Sequence, residues 1–275
     1  VLKGPQGTLF GRNATGGAIQ IFTRNPTYDL TGKLSATGAR YMGKHARDAN
    51  EVQLNGFLSG GLIDGVLAAS VSGYYRHNQG YMTDDVSGRR VGSQESYGGR
   101  VKLLWEPSDN AKFVLAGYYG HLMDHATYQR TSFQGQATAA SYPDAVIPTQ
   151  PWHVSNDPAN PEPYLMNEVY GGSLRGDIEF DIGTLTLLSG YSYAKNFNFV
   201  NSAAIYSAAC IAASRCTFVP LGAGGESFSQ EINFVTKKFG IFSLSTGLFY
   251  YRNFGSYQTV EVFASNPNSL PPWWG

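Results

Sequence analysis

Three groups of residues in this sequence have types and spacings that could do chemistry. The opening stretch VLKGPQGTLFGRNATGGAI is rich in glycine, as phosphate-binding loops are. His121 and His125 stand four residues apart, a spacing that could hold a metal ion on one face of a helix. Cys210 and Cys216 enclose a stretch of small residues, CIAASRC, which suits either a loop-closing disulfide or two free thiols.

The residues that follow the glycines argue against phosphate binding. A nucleotide-binding loop ends in Gly-Lys-Ser/Thr, whereas here Gly11 is followed by Arg12 and Asn13. A dinucleotide-binding fingerprint opens a long helix, but the residues after Gly17, AIQIFTR, alternate as a strand does. The opening glycines therefore need another explanation.

The two histidines predict no firm metal site. They stand where a strand runs into a loop, and strand residues four apart are separated by about 13 Å. One ion cannot join them across that distance, so we expect histidines at the rim of a sheet, with contact to a bound metal complex as the alternative. Asp84 and Asp85 are adjacent in a loop and do not make the paired carboxylates of a hydrolase. We therefore expect neither an enzyme nor a cofactor.

Composition excludes other classes. The chain carries 20 basic and 20 acidic residues, so its formal net charge gives no footprint for nucleic acid. Charged residues make up 15% of the chain, below the roughly 25% usual in soluble domains. Aromatic residues make up 14%, which suits short strands with one polar and one apolar face. The sequence contains no run of 18 apolar residues that would predict a transmembrane helix.

The elements that must position these residues are strands. Segments of about ten residues alternate between apolar and polar side chains, the signature of tilted membrane-spanning strands. Nine strands are predicted, at 30–41, 50–60, 66–76, 96–106, 111–121, 168–180, 185–196, 227–236 and 241–254. Two of them carry charges at their polar positions, which suit only water or a polar plug: Arg100, Lys102, Arg175, Asp177 and Glu179.

The links between these strands alternate in length. The short ones are 61–65, 107–110, 181–184 and 237–240. The long ones are 77–95, 122–167 and 197–226. In an up-and-down antiparallel meander, this alternation puts all tight turns at one end and all long loops at the other. That is the layout of an outer-membrane β-barrel, whose short turns are periplasmic and whose long loops are external.

The stretch VLKGPQGTLFGRNATGGAIQIFTRNP resembles the end of the plug domain of TonB-dependent outer-membrane receptors. The matching positions are Lys3, Gly4, Pro5, Gly7, Gly11, Arg12, Gly16 and Gly17, then Ile19, Ile21, Thr23 and Arg24. Lys3 stands where the family more often has arginine, which keeps the charge but loses the bidentate fork. The resemblance implies that the glycines let the plug backbone approach the barrel wall closely.

The resemblance implies a fold and a division into domains. The fold would be all-β: an antiparallel up-and-down transmembrane barrel, present in part as about nine strands, preceded by the last plug strand. Residues 1–27 would end the plug and residues 28–275 would begin the barrel, so the sequence would be a fragment of a receptor. The loop 197–226 would then be external, where thiols oxidise, so we expect Cys210 and Cys216 to form a disulfide.

The same resemblance implies a function. A siderophore-receptor-like protein of a Gram-negative outer membrane imports a scarce solute, above all a ferric siderophore. TonB delivers the energy through an N-terminal segment that this sequence lacks. The partners would be TonB, outer-membrane lipid and the small-molecule substrate, and not nucleic acid. The alternative is a passive porin or another outer-membrane channel or binding barrel.

Overall fold

A computed structural model describes residues 2–3, 17–18, 23–126, 142–156, 158, 162–201, 206–212 and 218–260 of the chain. The strands are, in chain order, β1 (Leu2–Lys3), β2 (Gly17–Ala18), β3 (Thr31–Tyr41), β4 (Ala49–Ile63), β5 (Leu67–Asn78), β6 (Met82–Asp84), β7 (Arg90–Val91), β8 (Gln94–Ser108), β9 (Ala111–Asp124), β10 (His153–Val154), β11 (Tyr164–Phe180), β12 (Gly183–Asn201), β13 (Phe218–Thr236) and β14 (Ser245–Val260). A short helix, α1 (Ala208–Ala212), was not expected from the sequence. In the described ranges, no helix has the length and apolar character needed to cross a membrane.

Nine of the strands form one antiparallel sheet. Its order is β3-β4-β5-β8-β9-β11-β12-β13-β14, so each strand pairs with the next sheet strand along the chain. The sheet is open, with β3 and β14 as its two edges. The predicted up-and-down meander of nine strands is therefore confirmed, as part of a barrel.

The antiparallel order separates two ends of this sheet. The turn end carries the connections 64–66, 109–110, 181–182 and 237–244, and Gly65 and Gly240 adopt positive φ there. The loop end carries the connections 42–48, 79–93, 125–163 and 202–217. Glycine relieves the backbone strain of a positive φ, so these two turns are tight for a reason visible in the sequence.

The register also separates two faces, because residues paired directly across strands point to the same side. The apolar face exposes large aliphatic side chains on every strand except β12, among them Leu34, Leu54, Val71, Leu103, Leu115, Leu174, Ile232 and Leu248. The polar face carries Lys33, Asn55, Ser72, Arg100, Lys102, Arg175, Asp177 and Ser192. Such a continuous exposed apolar surface is unusual for a protein in water.

Aromatic rings mark both ends of the apolar face. At the loop end, Tyr97 and Tyr119 have ring centroids 6.2 Å apart, and at the turn end Trp105 and Phe113 lie 5.3 Å apart. Aromatic residues at both margins of an apolar band are typical of transmembrane barrels.

The long connections contain structure of their own. β6 pairs with β7 in an antiparallel hairpin, and β10 joins β6 in parallel. Met82, Val91 and Val154 form a small buried core between these three strands. The described residues of the connections 79–93 and 125–163 therefore pack together. A separate pair, β1 with β2, aligns Leu2 with Ala18 and Lys3 with Gly17.

Several strands extend further toward the loop end than the alternation predicted. β13 begins at Phe218 rather than near residue 227, although it contains Pro220 and several glycines. It pairs along its length with β12, from Asn201 opposite Phe218 to Gly183 opposite Thr236. Pairing with a neighbouring strand outweighs weak intrinsic strand propensity, which explains the difference.

Candidate functional site

The five charged residues predicted to face the lumen share the polar face of the sheet. Arg100 and Lys102 lie on β8, and the other three lie on β11, separated from them by β9. Arg175 Nε is 2.7 Å from Asp177 Oδ2, and Thr186 donates to the same carboxylate at 2.8 Å. Glu179 is exposed near the turn end. That this face lines a lumen remains a prediction.

Four of the twelve matching positions of the opening motif are described: Lys3, Gly17, Thr23 and Arg24. Lys3 and Gly17 lie opposite each other in the pair β1–β2. Gly4, Pro5, Gly7, Gly11, Arg12 and Gly16 lie outside the described residues. Their role in a plug therefore stays a prediction.

The two candidate histidines have separate surroundings. His121 lies on the apolar face and stacks on Tyr97, with centroids 5.0 Å apart. His125 lies in the turn after β9, where its Nδ1 is 3.3 Å from the Pro163 carbonyl and 3.9 Å from Glu162. Throughout the described ranges, no three His, Cys, Asp or Glu side chains come together as metal ligands would.

Cys210 is fully buried in α1 and is disulfide-bonded. The sequence contains one other cysteine, Cys216, which lies outside the described residues, so the pairing of the two stays a prediction. The Ser207 hydroxyl caps the helix by accepting from the Cys210 N–H at 3.0 Å. Asp144, from the preceding long connection, accepts from the Ala209 N–H at 3.0 Å and the Ser207 hydroxyl at 2.8 Å. The Ala209 N–H and the Ser207 hydroxyl hold the pKa of Asp144 below its ordinary value.

Sequence reasoning missed an aromatic cluster at the loop end. Tyr41, the last residue of β3, stacks on Tyr81 with centroids 5.6 Å apart, and Tyr81 meets Trp152 edge-on at 5.2 Å. Tyr41 is 38% exposed and Trp152 47% exposed, so ring surface is available to a ligand. The sequence marks Trp152 as an aromatic in a proline-rich stretch, but nothing in it signals the contact with β3. We call these three residues the aromatic cluster.

A buried carboxylate fixes the cluster to the sheet. Glu51, 5% exposed on the polar face of β4, accepts two hydrogen bonds from Arg76 at 2.9 and 3.0 Å. It also accepts from the Tyr41 hydroxyl at 2.7 Å, from Asn78 at 3.3 Å and from Gln53. A buried carboxylate needs such partners, because losing its hydration without them is costly. The hydrogen bond to Glu51 therefore fixes the position of the Tyr41 ring on the sheet.

Backbone hydrogen bonds between the connections at the loop end also fix the cluster. The Arg47 N–H donates to the Tyr81 carbonyl at 2.9 Å, and the Thr83 N–H donates to the Trp152 carbonyl at 3.0 Å. Trp152 adopts a φ of 63°, which is uncommon for a bulky residue. The contacts around it must therefore hold its backbone in this conformation. Next to it, His153 Nδ1 lies 2.5 Å from Asp85 Oδ1. Three separate connections thus converge on these rings.

The loop connections also join one another. Val146 and Tyr206 form an antiparallel bridge, and the Tyr206 N–H donates to the Ser155 hydroxyl at 2.6 Å. The Gly92 N–H donates to Glu162 at 3.2 Å. The described residues of the connections 42–48, 79–93, 125–163 and 202–217 therefore form one layer at the loop end. We call it the loop layer.

This arrangement suits binding rather than bond-making. Rigid, partly exposed aromatic rings give a large contact area at a small cost in side-chain entropy. The arginines nearby engage protein acceptors: Arg40 pairs with Asp48 at 2.6 Å, and Arg47 donates to the Gly88 carbonyl at 2.6 Å. The site can therefore receive a flat or ring-bearing solute against its exposed rings, while these arginines stay paired within the protein.

Comparison with known proteins gives relatives in sequence and in structure. No family model matches the chain. The pesticin receptors of Yersinia pestis and Yersinia enterocolitica are 34% identical to it over 110 residues, which is 40% of this chain and 15% of each receptor. The chain thus spans a small part of the curated relatives that it matches.

Solved structures extend the likeness to nearly the whole chain. The ferric yersiniabactin uptake receptor FyuA from Yersinia pestis superposes with a TM-score of 0.65 at 21% identity, covering 91% of this chain and 35% of that one. The siderophore receptor PirA from Acinetobacter baumannii gives 0.60 at 17% identity, covering 92% and 34%. The sequence match and the shared fold confirm the resemblance seen in the opening motif: the chain is similar in sequence to part of a pesticin receptor and shares the fold of these siderophore receptors.

Proposed function

We propose that this chain belongs to an outer-membrane receptor that imports a ferric siderophore with energy delivered by TonB. The observation that carries the proposal is the match to a pesticin receptor together with the shared fold of a ferric yersiniabactin uptake receptor. Both relatives are named as receptors, which favours binding and transport over catalysis. The whole receptor's substrate and partners are part of the proposal, because the chain spans only a part of these relatives.

The apolar face supports a place in the membrane. Val101 and Leu103 are 57% and 41% exposed between the rings of Tyr97 and Trp105. Those rings are eight residues apart on one strand, about 26 Å at the usual rise of a strand. With a tilt near 40°, about 20 Å of this length lies along the membrane normal, close to the roughly 25 Å apolar band of outer-membrane barrels.

The polar face supports a lumen with a plug. We propose that residues 1–27 end the plug and residues 28–275 begin the barrel. Lys102, on the polar face, contacts the backbone of Thr23 and Arg24. The chain that follows the strand pair β1–β2 therefore meets the sheet on its polar side. In the described residues, no feature favours a passive porin over this arrangement.

The aromatic cluster is the contact site that we assign to the solute. It lies at the loop end, which would face the outside of the cell, and Tyr41 belongs to the polar side of the sheet, which would face inward. A solute arriving from outside would meet Trp152 and Tyr81 before it reached the plug.

Growth on defined iron sources tests the function. The gene for the full-length receptor is deleted, and growth under iron limitation is measured with a panel of ferric siderophores, cobalamin and oligosaccharides. We expect one class of ferric siderophore to support growth only when the gene is restored and TonB is present. Growth that is unchanged for every iron source would overturn the siderophore proposal, and uptake that persists without TonB would indicate a passive channel.

Uptake kinetics test the site. For the siderophore so found, Trp152→Ala should weaken apparent affinity about tenfold while leaving the rate at saturation unchanged, because it removes an aromatic anchor. Tyr97→Ala is the matched control, since that ring lies at the same end but on the apolar face, and it should change affinity less than about twofold. Equal effects of the two substitutions would contradict the assignment.

A further inference from the structure

The segment 23–30, which we call the junction, lies against the turn end of the sheet. Lys102 Nζ donates to the carbonyl oxygens of Thr23 and Arg24, each at 3.0 Å, and lies 3.5 Å from Asn25 Oδ1. Lys102 is 8% exposed, so its ammonium group is enclosed by the sheet and the junction.

The rest of the junction is held by one more strand, β4, and again by β8. The Thr27 N–H donates to the Ser59 hydroxyl at 2.9 Å, and Ser59 is 1% exposed. The Gly61 N–H donates to the Tyr28 carbonyl at 2.8 Å. The Tyr28 hydroxyl donates to Glu106 at 2.7 Å. The junction is therefore bound to β4 and β8 along its length.

The chemistry of lysine suits its place at the start of the junction. An ammonium group has three N–H donors and no acceptor, and here three oxygens surround it. In the described residues, Lys102 makes no ion pair, so these neutral oxygens replace its water. If the junction left the sheet, a buried cation would lose its partners, which is unfavourable. An arginine could not place its planar fork on three converging oxygens in the same way.

We propose that Lys102 is the positioning residue that fixes the junction to the barrel, so that rearrangement of the plug during import ends at Thr23. This inference rests on the proposed function, since it needs residues before Thr23 to belong to a moving plug. The junction then stays bound to the sheet during import, and force applied to the plug does not reach the start of β3.

Amide exchange in the full-length receptor tests the anchoring. In Lys102→Met, exchange of the Thr27 and Gly61 amides should rise about tenfold, because the junction opens more often when its cation is gone. Arg100→Met is the control: Arg100 lies two residues away on the same face, over the ring of Tyr118. Exchange at Thr27 and Gly61 in this control should stay within about twofold of the unsubstituted receptor. Equal exchange in both variants would overturn the role of Lys102.

A reversible crosslink tests the stationary junction without removing Lys102. The hydroxyl oxygens of Thr27 and Ser59 are 3.2 Å apart, so cysteines at both positions can form a disulfide that locks the junction to β4. Uptake by oxidised Thr27→Cys/Ser59→Cys receptor should equal uptake after reduction. Uptake that is lost on oxidation and restored by a reductant would show that the junction must move. Failure of the proposed function itself would appear differently, as the absence of TonB-dependent uptake in the unsubstituted receptor, while the exchange measurement would still report on the anchor.

Discussion

The two ends of the sheet are held by different means. At the turn end, strands are joined by connections as short as 109–110 and 181–182, so the covalent chain itself sets their positions. At the loop end, the connections are long, and side chains set the positions instead: Glu51 alone accepts from Arg76, Tyr41, Asn78 and Gln53.

This difference indicates which end of the sheet can determine ligand specificity. A two-residue turn leaves little freedom, so the turn end has few ways to vary its shape. The loop layer depends on contacts between residues far apart in sequence, and each can change without altering the strands. Function that depends on ligand shape is therefore expected at the loop end, as binding residues on a rigid scaffold usually are.

The largest expected effect tests this contrast directly. Glu51→Ala in the full-length receptor should lower the free energy of unfolding by about 2–4 kcal/mol, because Arg76 and Tyr41 lose a buried acceptor. Glu106→Ala is the matched change at the turn end, where the Glu106 side chain is 29% exposed and neither of its partners, Tyr28 and Lys112, is buried. It should cost under about 1 kcal/mol. Denaturant titrations measure the free energy of unfolding of both variants, and equal costs would contradict the difference between the two ends.

A middle-sized effect is expected between the two ends, where the strands themselves pack. A Cβ added at Gly171 would meet the Tyr191 carbonyl oxygen and would lie 2.7 Å from the Tyr118 hydroxyl. Gly171→Ala should therefore destabilise the receptor by about 1–3 kcal/mol, since backbone or ring must shift. Gly38→Ala on the edge strand β3 is the control, because nothing lies within 4 Å of its added Cβ. Thermal unfolding of both variants gives the answer, and a Gly38→Ala cost as large as that of Gly171→Ala would sink the packing explanation.

The smallest expected effect is the pH dependence of one contact inside the loop layer, between Asp144 and the Ala209 amide. The pKa of Asp144 is lowered from its ordinary value of 3.8, mainly by the Ala209 N–H and then by the Ser207 hydroxyl. A carboxyl group whose pKa is lower in the folded state stabilises it fully above that ordinary value, and the contribution disappears as pH falls through the folded pKa. Exchange of the Ala209 amide, relative to a sheet amide at the same pH, should therefore accelerate below about pH 4. In Asp144→Asn this relative rate should not depend on pH, and a pH dependence that survives the substitution would exclude Asp144 as its source.

Much of the sheet could be predicted from the sequence, and the reason is periodicity. Alternation of Val101 and Leu103 with Arg100 and Lys102 assigns faces without any knowledge of the fold, because strand side chains point to alternate sides. The lengths of the connections then indicated the antiparallel order, which the structure confirms. The predicted boundaries were short at the loop end, where pairing continues through residues such as Pro220 that do not favour strands.

The site could not be predicted in the same way, because its contacts have no local pattern. Tyr41 is the last residue of a strand and Trp152 lies in a proline-rich connection, and no periodicity relates the two. The contact arises because Tyr81 lies between them, held by Arg47 from a third connection. The anchoring of Thr23 by Lys102 was hidden for the same reason, since alternation assigns Lys102 a face but not a partner.

The parallel pairing of β10 with β6 has a consequence for the order of events during folding. In the large sheet each strand pairs with the next sheet strand along the chain, so hairpins can form early from local contacts. β6 and β10 are separated in sequence by β7, β8 and β9, and bringing them together first would cost the entropy of closing that long loop. We therefore expect the core of Met82, Val91 and Val154 to assemble last, on strands already in place. Protease pulses during refolding should then cleave these connections for some time after the strands have become resistant. A newly made receptor would therefore have its strands paired before its loop end could bind a ligand.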